Sequence, residues 1–232
     1  MQDPNPPLDE SWVSYAYWEN TTGKPITSFK TTWTVPPAPQ TQLSQTLFLF
    51  NSILNAPPDP SGTLNGILQP VLQWGISAAG GGQYWSIGSW YVDTDSNLQL
   101  CPQLTQVEEG QDITGVMTLT GQSDDGFTYT CEFEGYPDSS LTVENIAELK
   151  YCSHVLEAFV RSDSKKWELP AIKDCSQYPN TDKTAFSSIE IETGGEIQEV
   201  QWTPAIKDPS CGSHAIAVSA SEVDIYYRSD PS

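Results

Sequence analysis

"GILQPVLQWG" (66–75) is the stretch on which the reading of this chain turns. Taken as a strand, it sends alternate side chains to opposite faces. Leu68, Leu72 and Trp74 form one apolar row suited to a core. Ile67, Gln69, Val71 and Gln73 form the other, which sets two neutral amides among branched apolar residues. A row of that mixed kind belongs either to wetted sheet or to a working site.

Similar runs lie on both sides. "WVSYAYW" (12–18), "SFKTTWTV" (28–35), "TLFLFNSIL" (46–54) and "QYWSIGSWYVD" (83–93) alternate in the same way. So do "QDITGVMTLTG" (111–121), "FTYTCEFEG" (127–135), "SSIEIETG" (188–195), "HAIAVSA" (214–220) and "EVDIYYR" (222–228). Aromatic and β-branched residues fill these runs, and Gly, Pro, Asn and Asp separate them, the pattern of an antiparallel all-β fold. More than ten strands point to two large stacked sheets, a β-sandwich, rather than a small barrel. Two stretches differ. "LTVENIAELK" (141–150) has Ile146, Leu149 and Lys150 at helical spacing and is expected to hold one or two helical turns. Residues 161–185 are expected to be a long loop, of the kind that is usually functional or mobile. With no internal repeat and no linker, 11–232 is expected to be a single domain behind a flexible, Pro-rich segment 1–10.

The totals narrow the function. The 232 residues carry 30 Asp and Glu against 10 Lys and Arg, with a pI near 4.1. Nothing basic is available to neutralise phosphates, so nucleic acid and anionic membranes are not expected partners. No apolar run is long enough to span a membrane, and residues 1–10 lack the apolar core of a signal peptide. The self-repulsion of so acidic a chain fades near pH 3–4, which suits an acidic, extracellular setting. The sequon at Asn20 fits secretion as well. Of the five cysteines, none forms a C-x-x-C motif, and the odd count leaves at least one thiol unpaired within the chain. Cys175 with Cys211 is the favoured disulfide, although no spacing dictates it.

Several chemistries lack their residues. There is no G-x-S-x-G, and His154 and His214 are the only histidines, too few and too far apart in sequence for a serine triad or a zinc motif. "GGGQ" (80–83) reads as a hairpin turn, because no lysine or helix follows it. "DTDSN" (93–97) has Asp93, Asp95 and Asn97 at calcium-loop spacing, but Leu98 and Leu104 stand where glycine and glutamate are needed, so it reads first as a turn, with a loop-bound calcium the lesser alternative. No metal or cofactor is expected. Eight tryptophans remain, most of them suited to core. In "QYWSIGSWYVD", however, Trp85 and Tyr91 face one way and Trp90 the other. One of those rows must lie on an outer face, where rings line a groove or stack on a sugar.

"TTWTVPP" (31–37), "LFLFNSIL" (47–54), "ILQPVLQWG" (67–75), "SWYVD" (89–93) and "VEEGQDITGVMTLTG" (107–121) follow one another in a telling order. The run resembles the glutamic peptidases, or eqolisins, a mainly fungal family of secreted proteins. There a W-T-V-P strand precedes W-V-G-I-D, then an I-L-Q-T-G strand carrying the catalytic glutamine, then E-W-Y and I-x-x-G-D-x-I strands. The resemblance covers roughly residues 10–160. It implies a concanavalin-like sandwich with one concave polar and aromatic face. It also gives Gln69 the place of the catalytic glutamine. The family's catalytic glutamate lies in an A-E-W-I-V-E stretch, matched here by "YCSHVLEAFV" (151–160). Glu157 is the candidate for that role; matching the last glutamate of the motif to Glu157 instead puts Ser153 at the catalytic position. Phe48 or Phe50 stands where the family has its active-site tryptophan.

In this reading Glu157 activates water as general base, and the Gln69 amide holds the oxyanion without titrating in acid. Gln73, Trp85, Trp90, Tyr91, Phe48 and Phe50 line the groove for a polypeptide substrate. The competing expectation is a lectin on the same sandwich, with Gln69, Gln73 and exposed tryptophan reading a glycan. The sequence does not fix the oligomeric state.

Overall fold

The computed structural model describes residues 11–58, 64–161, 167–168, 172 and 174–228. The expected segment 1–10 lies outside these. In chain order the strands are β1 (Trp12–Glu19), β2 (Ile26–Thr34), β3 (Gln45–Leu54), β4 (Gly66–Ser77), β5 (Gly80–Asp93) and β6 (Leu98–Leu100). Then come β7 (Thr105–Gln106), β8 (Asp112–Ser123), β9 (Gly126–Phe133), β10 (Tyr136–Ile146), β11 (Tyr151–Arg161) and β12 (Trp167–Glu168). The last are β13 (Lys183–Thr193), β14 (Glu196–Ile197), β15 (Thr203–Ile206), β16 (His214–Ser219) and β17 (Glu222–Tyr226).

They form two antiparallel sheets. The first runs β15-β1-β11-β3-β4-β5-β6, with β12 on β11 and β7 on β5. The second runs β10-β9-β8-β2-β13-β17-β16, with β14 on β13. The only helical turn among the described residues is a 3-10 turn at Cys175–Gln177, and no helix is long and apolar enough to cross a membrane.

The sheets meet through the row that "GILQPVLQWG" assigns to the core. Trp74 packs edge-on to Trp85 at 5.4 Å. At Gly115 of β8 the layers touch, since a Cβ there would lie 2.5 Å from Pro70 and 2.9 Å from the Asn51 Oδ1. His154 of β11 enters the same layer, with its ring 4.9 Å from Phe186, 5.3 Å from Phe29 and 4.7 Å from Trp202. Its Nε2 lies 3.0 Å from the Thr31 hydroxyl. Burial among these rings pushes the His154 pKa down to about 3.

One local expectation changes. Residues 141–146 continue strand β10, with Leu141 opposite Cys131 and Val143 opposite Tyr129. A register shift follows between Val143 and Ile146, and Asn145 adopts a positive φ of 57°. The helical spacing of Ile146, Leu149 and Lys150 straddles the end of this bulged strand and the irregular residues 147–150 that follow it, where Ile146 and Leu149 are buried without a helix. Of the expected long loop 161–185, residues 162–166, 169–171 and 173 lie outside the described residues. Its β12 pairs with the end of β11, and Cys175 is bonded to Cys211.

Candidate functional site

The outer face of the first sheet gathers the residues singled out from the sequence. Two parallel rows cross it. In the first, Tyr17 of β1 pairs with Ser153 of β11, and Ser153 with Ser52 of β3. The constant register between Phe50↔Val71 and Ile53↔Leu68 puts Ser52 opposite Gln69 of β4, and Gln69 pairs with Trp90 of β5. In the second, Trp12 pairs with Glu157, Glu157 with Phe48, Phe48 with Gln73 and Gln73 with Ser86.

The rows are four residues apart along each strand. Gln69 and Glu157 therefore share a face but not a position. Four residues at about 3.3 Å and two strands at about 4.8 Å separate their Cα atoms by about 16 Å. That is too far for the two side chains to share one water, so the expected pair is not assembled. The residue across β3 from Gln69 is Ser153. Its hydroxyl lies 2.6 Å from that of Ser52, and both serines are fully buried.

The other candidates divide by face. Phe48, Phe50, Gln73 and Trp90 lie beside Gln69. Phe48 packs against Trp90 at 6.0 Å and against Phe159 at 5.2 Å, and Phe50 packs against Trp12 at 6.0 Å. Trp85 and Tyr91 lie on the inner face, because strand alternation sets them opposite Trp90, and Trp85 packs on core Trp74. Their expected place in a groove is corrected to the sandwich core. The outer rings are themselves buried, with Trp90 2% and Phe48 6% exposed. Two loops lie against this face: Tyr15 donates to the Pro58 carbonyl at 2.5 Å, and a Cβ at Gly88 would meet Leu104 and Cys101.

The polar groups differ in what they do. Gln73 Nε2 donates to the Gly75 and Gly80 carbonyls, each at 2.9 Å, and so ties down the β4–β5 turn. Gln69 Oε1, Gln73 Oε1, Trp90 Nε1, Trp12 Nε1 and Ser86 Oγ are buried without a hydrogen-bond partner. Each such group costs about 1–3 kcal/mol unless it is satisfied, so the face is chemically suited to a polar guest. Glu157 is partly exposed, and its Oε1 accepts from the Ser11 hydroxyl at 2.6 Å. Desolvation pushes its pKa up to about 7, against the opposing pull of Ser11. No motif or alternation marks Ser11, which precedes the first strand. Ser52 was open to alternation, which sets it on the face of Phe48 and Phe50. Among the described residues no cluster of His, Cys, Asp and Glu could hold a metal ion, and 93–97 forms a hairpin turn in which Asp93 accepts from the Asp95 and Ser96 amides.

No protein-family profile and no curated protein matches this sequence. Solved structures do match by fold. Scytalido-glutamic peptidase with a peptide-based transition-state analogue superposes with a TM-score of 0.60 at 16% identity, over 94% of this chain and 98% of that one. SCP-B, a member of the eqolisin family in complex with the tripeptide Ala-Ile-His, gives 0.56 at 15%, with the same coverage. At such identities the likeness concerns architecture, and architecture is what it establishes: the chain has the eqolisin-like, two-sheet antiparallel sandwich of the glutamic peptidases.

Proposed function

We propose that this chain is a polypeptide-binding protein built on the glutamic-peptidase fold, with no carboxylate among the described residues placed beside Gln69 to activate water. One observation carries this reading: the side chain that faces Gln69 across β3 is the hydroxyl of Ser153, bonded to Ser52. A serine hydroxyl held by another serine is a poor general base at any acidic pH. The amide donor of an oxyanion site is retained, and the group that would generate the nucleophile is not. Binding is supported by the unpartnered amide, indole and hydroxyl groups of the outer face, which match the alternating donors and acceptors of a peptide backbone. The ligands of the fold neighbours, a peptide-based analogue and a tripeptide, point the same way. A lectin has less support, because the ligands seen in the fold neighbours are a peptide-based analogue and a tripeptide. Secretion fits the Cys175–Cys211 disulfide.

A second reading keeps the acid hydrolase and relocates its base. Glu157 has a pKa of about 7, the range of a working general base, and Gln73 stands in its row. One assay separates the two. The full chain is incubated with an unfolded protein from pH 2 to pH 7, and peptide binding is followed by calorimetry. The binding reading expects peptides to bind and no fragments to appear. Fragments that vanish in Glu157→Gln would establish the hydrolase instead.

A further inference from the structure

We propose that Asn20 is a modification site, at which the side-chain nitrogen of the secreted chain carries an N-linked oligosaccharide. Asn20-Thr21-Thr22 is the only N-x-S/T sequence in the 232 residues. It falls at the turn between β1 and β2. A group as bulky and polar as a glycan has to stand at the surface. Residues 21–24 of this turn are all exposed, and a Cβ built on Gly23 meets nothing within 4 Å. The ion pair beside it, Lys24 with Glu196, leaves the two side chains 50% and 71% exposed, so it can yield to a first sugar at little cost.

The turn holds its asparagine in a way that leaves room for the bond. The Asn20 backbone amide donates to the Lys150 carbonyl at 2.8 Å, which fixes the residue at the end of β1. Its Oδ1 accepts from the Thr22 amide at 3.1 Å and from the Thr22 hydroxyl at 2.7 Å. Its Nδ2 donates to the Lys24 carbonyl at 2.7 Å. These side-chain bonds all stay within residues 20–24. A side-chain amide nitrogen has two hydrogens. Replacing one with a sugar leaves a single N–H, the number that the bond to Lys24 uses. Asn20 is also three residues beyond Tyr17, where the row of Gln69 ends, and eight beyond Trp12, the partner of Glu157. At about 3.3 Å per residue those separations are about 10 Å and about 26 Å, so the glycan stands outside the rows of the outer face.

The donor is an oligosaccharide linked through diphosphate to a membrane lipid, as a eukaryotic secretory compartment provides. The bond from Nδ2 to C1 of the first sugar forms as the C1–O bond to diphosphate breaks. The lipid diphosphate leaves with that electron pair, and the nitrogen gives up one proton. The site therefore rests on secretion, which the Cys175–Cys211 disulfide supports.

The test secretes the full chain from yeast behind a cleaved leader and measures its intact mass before and after treatment with peptide N-glycosidase. The expected result is one core oligosaccharide per chain, which the enzyme removes while converting that one asparagine to aspartate. Asn20→Gln and Thr22→Ala each lose the added mass completely, whereas Thr21→Ala keeps it. Where a variant is not secreted, translation into endoplasmic-reticulum microsomes reads the same shift on a gel before the chain has to fold. A translocated chain with Asn20 unmodified, by either route, overturns the proposal. So does an enzyme-sensitive glycan that survives Asn20→Gln. Because the leader imposes translocation, either failure removes the acceptor site and leaves the secretion reading standing.

Discussion

Replacing His154 with glutamine tests the inter-sheet core through its pH dependence. The ring is enclosed by Phe29, Phe186 and Trp202, and its folded pKa is about 3 against 6.5 for a free histidine. As pH falls below 6.5, the unfolded chain binds a proton here that the folded chain refuses. The folded state therefore loses stability steadily down to about pH 3 and has its full contribution only above the free value. Between pH 7 and pH 4.5 the loss amounts to about 3 kcal/mol, at about 1.4 kcal/mol per unit. Glu157 acts in the opposite sense. Its folded pKa of about 7 exceeds the free 4.5, so the folded state holds a proton the unfolded chain has given up. That contribution is complete below the free value and is lost as pH rises to about 7. The two nearly cancel over this range in the unsubstituted protein. Glutamine keeps a hydrogen-bonding group toward Thr31 and cannot titrate. Urea unfolding at pH 7 and pH 4.5 should show His154→Gln gaining about 3 kcal/mol on acidification relative to the unsubstituted chain. Parallel pH profiles for the two proteins would mean that His154 titrates freely, and the enclosed ring would be refuted.

Other perturbations reach the rest of the framework. Replacing Cys175 and Cys211 with serine releases a loop spanning 36 residues, a loss of about 4 kcal/mol by loop-closure entropy that calorimetry would record as a lower Tm. Cys131 and Cys152 are buried and unpaired, so a thiol reagent should leave both unmodified until the chain is unfolded. Gly115→Ala drives a methyl against Pro70 and Asn51 and should cost about 1–3 kcal/mol in urea denaturation.

The sandwich was legible because its signal is local and redundant. Alternation in 66–75 assigned Leu68, Leu72 and Trp74 to the core, and each neighbouring strand repeated that pattern. The aromatic rows of 83–93 were separated correctly, but only the packing of Trp85 on Trp74 tells which row faces the core. The strand at 141–146 was lost because buried Ile146 at its bulged end and buried Leu149 in the irregular stretch after it fall at helical spacing. The site was harder for a different reason. Which residue of β11 faces Gln69 depends on two successive registers, β11 on β3 and β3 on β4, and a shift of four residues leaves every side chain on the same face. Alternation cannot distinguish Ser153 from Glu157, whereas pairing can.

That register makes Ser153→Glu the most direct measurement. A glutamate at 153 would extend past Ser52 toward Gln69 and supply the missing base. The variant should cleave an unfolded protein below pH 5 where the unsubstituted chain does not, and adding Gln69→Ala should abolish the cleavage. Cleavage by the unsubstituted chain at that pH, lost on Gln69→Ala, would contradict the account.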